Sequence, residues 1–106
     1  MRLEERRKKV IEILIRNRNS YMYLTDLIEA VFGRGVVKRY TPVQYNSVYR
    51  DVCHHLKWYG LVEVKKMGPE ERDRIMVKWQ KHDLKDKLSV DEFIERRRLE
   101  NLQKYS

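Results

Sequence analysis

The stretch SVYRDVCHHLKWYGLVEV, residues 47–64, contains the change of pattern that decides the fold. Up to Gly60, apolar residues recur at the spacing of one helix face. After Gly60, Val62 and Val64 alternate with charged residues, which is typical of a half-buried strand. Glycine is common just past the end of a helix. The stretch therefore predicts a helix that ends at about Tyr59 and leads into a strand.

This helix has a start signal upstream. Thr41 offers a side-chain oxygen for a cap, and Pro42 is tolerated at the first helical position. The predicted helix covers residues 41–59. Its buried stripe is expected to contain Tyr45, Tyr49, Val52, Cys53 and Leu56. Its outward side is expected to present Gln44, Ser47, Arg50, Asp51 and His54.

The elements before this helix follow from the same periodicity. Apolar residues at helical spacing predict amphipathic helices over residues 3–16 and 24–32, the second ending at Gly33. A short aromatic strand is predicted over residues 20–23, between the two helices. The order of the N-terminal part is therefore helix, strand, helix.

The C-terminal part is expected to contain a hairpin and a last helix. Residues 75–79 alternate like residues 62–65 and predict the returning strand of the hairpin. Ser89 and Glu92 have the spacing of a capping box, so a helix is expected from there to about Lys104.

Length and charge point to a single domain with an affinity for polyanions. The chain has 106 residues, 38% of them charged, and a formal net charge of +8. Residues 34–81 account for most of this excess, with eleven basic and five acidic side chains. A surface of this kind favours nucleic acid or an acidic membrane surface. The alternative is a dense ion-pair surface of the kind that thermophilic proteins have.

Cysteine content and hydropathy indicate the compartment. A single cysteine cannot form an internal disulfide, which is typical of a reducing, intracellular setting. No apolar run reaches the length of about 18 residues that a membrane span needs. The first residues also lack the pattern of a signal peptide. An intracellular protein without a membrane span is expected.

The consecutive residues Cys53, His54 and His55 do not predict a catalytic or metal site. Neighbours on an α-helix point about 100° apart and do not converge on one ligand. His82 is the only other histidine, so no metal and no cofactor are expected. Phosphate-binding loops and nucleophile elbows are absent from the sequence, so an enzyme is not expected. Cys53 is interpreted as a small buried side chain.

The third helix does have the side-chain types that bind DNA. The outward residues Gln44, Ser47, Arg50 and His54 are predicted to contact base edges and phosphates. Arginine suits guanine, glutamine suits adenine and serine suits either. Phosphate contacts are predicted for the basic residues around this helix and in the hairpin: Lys38, Arg39, Lys57, Lys65, Lys66, Arg72 and Arg74.

The order helix, short strand, helix, helix, hairpin resembles the winged helix-turn-helix family. Leu56, a short spacer and then Gly60, Leu61 and Val62 are similar to the end of that family's recognition helix and its first wing strand. The resemblance covers about residues 3–80. The small chain, rich in tyrosine, lysine, arginine and glutamate, also resembles compact winged-helix regulators encoded by archaeal viruses.

This resemblance implies an α+β fold, a winged helix with an added C-terminal helix, with residues 1–82 as the DNA-binding part and residues 83–106 as the added helix. It implies sequence-specific binding of double-stranded DNA by a transcriptional regulator in the cytoplasm of a prokaryotic cell or a virus-infected host. The helix over residues 41–59 would lie in the major groove. The residues nearest the bases would be Gln44, Asn46, Ser47 and Arg50.

The resemblance also implies a homodimer. An extra terminal helix pairs with a second subunit in many members of the family, which here assigns the contact to Phe93, Leu99 and Leu102. Two recognition helices would then lie about 34–36 Å apart and read a near-palindromic site. The alternative is that the last helix packs across the first helix of its own chain.

Two features keep other functions open. The predicted wing tip contains Glu70, Glu71 and Asp73, which repel phosphates, so only the base of the wing is expected at DNA unless the tip pairs with its own arginines. Trp58 lies opposite the core stripe and is predicted to be exposed. The alternative function is a winged-helix protein–protein interaction module without sequence-specific DNA binding, and RNA binding or an enzymatic role are lesser alternatives.

Overall fold

The computed structural model describes residues 2–33, 41–66 and 75–104. In this part of the chain four helices pack with a three-stranded antiparallel sheet, which makes a small α+β domain. The predicted basic connection and wing turn lie outside the described residues. Lys38, Arg39, Arg72 and Arg74 lie there, as do the acidic residues of the predicted wing tip.

The first two helices have the predicted bounds. α1 covers Leu3–Arg16 and α2 covers Leu24–Phe32, followed by Gly33 at a φ of 85°. Each buries one apolar stripe, because hydrophobic residues recur at helical spacing along it. The buried side chains of these stripes are Val10, Ile11, Leu14 and Ile15 in α1 and Leu24, Leu27, Ile28 and Val31 in α2.

The sheet confirms the predicted hairpin and short strand. β1 is Met22–Tyr23, β2 is Val62–Lys66 and β3 is Ile75–Trp79, in the order β1-β3-β2. Val62 pairs with Trp79, and Met22 pairs with Val77. Because side chains alternate along a strand, one sheet face packs on the helices and the other faces solvent.

The third helix differs from the prediction. α3 covers only Pro42–Tyr49, and the chain continues as a π-helical segment over Arg50–Leu56. A π-helix has i→i+5 hydrogen bonds and a wider turn, so its side chains face other directions than an α-helix predicts. The expected single α-helix over residues 41–59 and its outward Asp51 are therefore wrong: Asp51 is buried, with 2% of its surface exposed.

Both ends of this helical region follow known capping rules. Thr41 Oγ1 accepts a hydrogen bond from Gln44 N, and Gln44 Oε1 accepts one from Thr41 N, which forms a capping box. At the other end Gly60 has a φ of 73°. Leu61 N donates to Leu56 O and Gly60 N donates to Lys57 O, the pair of bonds of a Schellman motif. Both predicted end signals are confirmed.

The last helix, α4, begins earlier than predicted. It covers Lys87–Lys104, and its cap is Asp86 rather than Ser89. Asp86 Oδ1 accepts a hydrogen bond from Ser89 N at 2.8 Å, so Ser89 lies inside the first turn. Hydrogen bonds from Ser89 lower the pKa of the Asp86 carboxyl. Aspartate is as good a cap as serine, and spacing alone did not separate them.

The two halves of α4 have different surroundings. In the first half Val90 is buried, and Phe93 and Ile94 pack against the common core beside α1. In the second half Leu99 and Leu102 are exposed, at 51% and 66%. The alternative to a dimer contact, packing across the first helix of the same chain, is thus observed for the first half of α4. Within the described residues, no helix is long and apolar enough to cross a membrane.

Candidate nucleic-acid interface

The third helical region comprises α3, the π-helical segment and the residues that follow up to Gly60. Its exposed side is polar and basic. Asn46, Arg50 and His54 are four residues apart, and all three are exposed together with Lys57. No ion pair to Arg50 or Lys57 is formed by any part of the chain that the structure describes. Their charges are therefore available to a ligand.

The absence of exposed carboxylates defines the electrostatics of this surface. Asp51 is the only acidic residue between Thr41 and Gly60. Its oxygens accept hydrogen bonds from Arg6 Nε at 2.6 Å, Arg6 Nη2 at 3.1 Å and Arg7 Nε at 3.3 Å. These bonds compensate the buried charge and raise the pKa of Arg6. A phosphate that approaches this side of the helix consequently meets no exposed acidic group from residues 41–60.

The residues predicted to contact bases differ in how exposed they are and in whether their polar groups are already hydrogen-bonded. Asn46 and Arg50 are exposed, whereas Ser47 is half-buried. Gln44 is half-buried, and its amide oxygen is engaged in the helix cap. Its side chain therefore has a structural role, and only its amide NH₂ group is left for a base edge.

Two residues, one exposed and one half-buried, were missed by the sequence argument. Val43 is 74% exposed in the first turn of α3, next to the polar surface. An apolar side chain at such a position suits the methyl group of thymine. The sequence does contain a sign of this exposure, because Val43 is an apolar residue that lies outside the predicted buried stripe. Tyr21 was missed because nothing in the sequence places it near Lys65 of β2 and Lys78 of β3.

Lys65 and Lys66, at the end of β2, point to opposite sides of the sheet. Lys65 Nζ lies 5.7 Å from the centroid of the Tyr21 ring, and Lys78 Nζ lies 5.4 Å from it. The hydroxyl of Tyr21 donates to Glu63, and this bond raises the pKa of Tyr21. Lys65 thus belongs to a mixed cluster on the outer sheet face, which also carries a carboxylate.

Lys66 lies on the other side, close to the third helix. Its charge and that of Lys57 act on the thiol of Cys53, which is half-buried against the core. Burial raises the pKa of this thiol, and the two lysines only partly offset the increase. Alternation along β2 places neighbouring residues on opposite faces, which separates Lys66 from Lys65. Lys57 and Lys66 therefore both lie near Cys53, with Lys66 on the side of the sheet where the third helix packs.

Aromatic contacts hold the exposed His54 in place. The rings of Tyr45 and Tyr49 are stacked with centroids 6.1 Å apart, and Tyr49 meets His54 edge-on at 5.6 Å. Such contacts restrict the side chain, which reduces the entropy lost on binding a ligand. In residues 2–33, 41–66 and 75–104 no three histidine, cysteine or acidic side chains are grouped as a metal site.

Comparisons with known proteins assign no family. No family model, no curated protein and no solved structure matches the chain. Evidence for a function therefore comes from the geometry and charge of the residues themselves.

Proposed function

We propose that the protein binds double-stranded DNA as a winged helix-turn-helix regulator of transcription. The observation that carries this proposal is the surface of the third helical region, where Asn46, Arg50, His54 and Lys57 are exposed and the only carboxylate is buried against Arg6. DNA binding depends first on phosphate neutralisation by arginine and lysine. A helix surface with unpaired cations and no exposed acid meets that requirement.

The order of the elements supports the same function. The short strand β1 pairs with β3, the central strand, which pairs with β2 on its other side, so the hairpin strands belong to a sheet that packs on the helices. A recognition helix that precedes such a hairpin enters the major groove while the hairpin lies beside it. In the described part of the chain, Lys57 and Lys66 provide the basic boundary between helix and hairpin.

The individual side chains suggest how the base sequence of the DNA is recognised. Arg50 suits guanine O6 and N7, Asn46 suits adenine N6 and N7, and Val43 suits the thymine methyl group. Arg50 is at the end of α3 and begins the π-helical segment. His54 and Lys57, further along the same side, are assigned to phosphates.

We also propose a homodimer through the second half of α4. Leu99 and Leu102 are three residues apart, lie on one side of the helix and are exposed. Phe93 is excluded from this interface as a main contact, because it packs against the core of its own chain. A two-fold axis at this helix makes the two DNA-reading surfaces equivalent and requires a near-palindromic site.

An interaction module for another protein is the second candidate, favoured by Trp58. This side chain is 67% exposed. Exposed tryptophan is enriched at protein interfaces and is unusual on a surface that contacts only solvent. Under this alternative, replacing Trp58 would abolish partner binding, and DNA affinity would be low at every salt concentration.

The direct test is selection from a pool of random duplex DNA, with the enriched duplexes titrated against the protein. The proposal expects a near-palindromic sequence to be enriched. Arg50→Ala is expected to lose preference at one base pair in each half-site, because each bidentate arginine contact is worth about 1–3 kcal/mol of discrimination. Selection that enriches no sequence would contradict sequence-specific reading.

A further inference from the structure

A cavity opens between α1 and the end of the third helical region. It has a volume of about 540 Å³. Its described lining consists of Arg7 from α1 and of Arg50, His54, His55, Trp58 and Tyr59. Pockets that bind small molecules in proteins have volumes of about 300–1,000 Å³. The cavity is therefore large enough for a mononucleotide.

Three of the six described lining residues, Arg50, His54 and His55, belong to the π-helical segment. In an α-helix the neighbours His54 and His55 diverge, and so do Trp58 and Tyr59. Both members of each pair nevertheless border the cavity beside Arg50. π-Helical segments are found frequently at functional sites.

The lining has an excess of positive charge. Arg6 satisfies both oxygens of Asp51, so Arg7 needs to contribute only one bond, from Nε at 3.3 Å. The two Nη groups of Arg7 have no other hydrogen bond in the described structure and remain available to a ligand. Arg50 is unpaired there as well. Two guanidinium groups at one cavity suit a phosphate, which accepts bidentate hydrogen bonds.

The lining also has aromatic surface. Trp58 and Tyr59 are in contact edge to face, with ring centroids 4.9 Å apart and planes at 86°. The ring of His55 meets Tyr59 at 5.4 Å. Because Trp58 is 67% exposed, most of its indole surface has no partner within the described chain. Exposed aromatic faces beside arginine are the elements with which proteins bind single nucleotides by stacking.

We propose that this cavity binds a nucleotide, with the base stacked on Trp58 and the phosphate held by Arg50 and Arg7. The nucleotide is either a free mononucleotide or an unpaired residue of a DNA strand, which offer the same base and phosphate. The site does not depend on duplex binding. One consequence rests on the proposed function: the nucleotide and duplex DNA compete for the protein, because both contact Arg50.

The test is a titration followed by ¹H–¹⁵N spectra, with the two indole N–H signals as reporters. The probes are adenosine 5′-monophosphate, a short 5′-phosphorylated single-stranded oligonucleotide, adenosine and inorganic phosphate, all without duplex DNA. The proposal expects a saturable shift of the Trp58 signal with either nucleotide probe. The signal of Trp79 should stay unchanged, because Trp79 is fully buried and its Nε1 donates to Lys81 O and Leu84 O.

Variants connect the shift to the cavity. Trp58→Leu and Arg50→Ala are each expected to weaken nucleotide binding about tenfold, since stacking and phosphate contacts of this kind contribute that much. For Trp58→Leu, calorimetry replaces the indole signal. Arg96→Ala removes the same charge from the exposed side of α4 and is expected to leave the affinity unchanged.

The two nucleotide probes distinguish the sources. Tighter binding of the monophosphate assigns a free nucleotide, and tighter binding of the oligonucleotide assigns an unpaired nucleotide of a strand. The proposal is overturned if neither probe gives a saturable shift of Trp58, or if Arg50→Ala and Trp58→Leu bind the probes like the parent. Asn46→Ala separates the two proposals, because Asn46 faces the proposed duplex and is absent from the cavity lining.

Discussion

Arg6 binds Asp51 through two hydrogen bonds, from Nε to Oδ2 at 2.6 Å and from Nη2 to Oδ1 at 3.1 Å. The two residues are 45 positions apart in the sequence, so this pair fastens α1 to the π-helical segment. It also removes the only carboxylate of the third helical region from the exposed surface. One contact thus serves both the packing of the fold and the charge of the proposed DNA-binding surface.

Asp51→Ala is predicted to lower the free energy of unfolding by about 3 kcal/mol, because removal of one partner leaves a partly buried guanidinium without its counter-charge. Urea denaturation measures this change. The matched control is Asp83→Ala, which removes a carboxylate that is 70% exposed and lies 3.9 Å from Lys81. The control is predicted to cost less than about 0.5 kcal/mol. Equal stability of the two variants would contradict the role assigned to Asp51.

The stability of the protein is predicted to depend on His55 in mildly acidic solution. Burial and the nearby Arg7 lower the pKa of His55 below its ordinary value of 6.5, against the opposing effect of Asp51. Between the folded-state pKa and 6.5 the unfolded chain binds a proton that the folded chain does not. The free energy of unfolding therefore falls as the pH decreases through this window.

Urea titrations at about pH 7.5 and about pH 5.5 measure the effect. His55→Gln is predicted to lose less stability between these two conditions than the parent loses. His54→Gln, which alters an exposed neighbour, should keep the dependence of the parent. An unchanged dependence in His55→Gln would show that the lowered pKa of this side chain does not contribute.

The oligomeric state is predicted to depend on the exposed leucines of α4. The double variant Leu99→Glu and Leu102→Glu should be monomeric where the parent is a dimer, because two charges per chain enter the apolar contact. Sedimentation at several protein concentrations gives the mass. Lys104→Gln, on the opposite side of the same helix, is the control and should remain a dimer. A parent that is monomeric at every concentration would contradict the proposed interface.

Phe93→Ala should behave differently from the leucine variants. Its ring packs against the core, and Lys81 Nζ and the guanidinium of Arg97 each lie 5.4 Å from the ring centroid. The variant is predicted to lower the free energy of unfolding by about 2 kcal/mol. A loss of dimer without a loss of stability would place Phe93 at the subunit contact instead.

Much of the fold could be predicted because its signals are local. The bounds of α1 and α2 follow from apolar periodicity, and Gly60 ends the third helical region through a Schellman motif that only needs a residue with positive φ. The hairpin follows from alternation in β2 and β3. These features depend on residues within a few positions of each other, so the pattern is sufficient to predict them.

The cavity and the position of Asp51 could not be predicted, because they depend on contacts distant in sequence. A helical wheel assumes one angle per residue, and the π-helical segment departs from that angle after Arg50. Arg6, whose hydrogen bonds compensate the buried charge of Asp51, lies in another helix. The cavity likewise needs Arg7 of α1 beside His54 and His55, a long-range arrangement that no local pattern shows.

Arg50 is predicted to be the main base-reading residue of the exposed surface. Arg50→Ala should weaken binding to the preferred duplex by about 1–3 kcal/mol and reduce discrimination at one position. Fluorescence anisotropy with the preferred duplex and single-base variants measures both effects. Lys57→Ala is the comparison on the same helix, and it should weaken all duplexes alike because it contacts a phosphate. The assignment fails if Arg50→Ala weakens all duplexes alike or if Lys57→Ala reduces discrimination between bases.

The central claim is that the exposed, acid-free surface of the third helical region binds DNA phosphates. The most direct measurement is the affinity of the parent protein for duplex DNA between about 50 and 200 mM salt. The account predicts binding at the lower concentration and a loss of about 10³–10⁵-fold at the higher one, as expected for six to ten phosphate contacts. No binding at the lower concentration would contradict the account and favour a protein partner at Trp58.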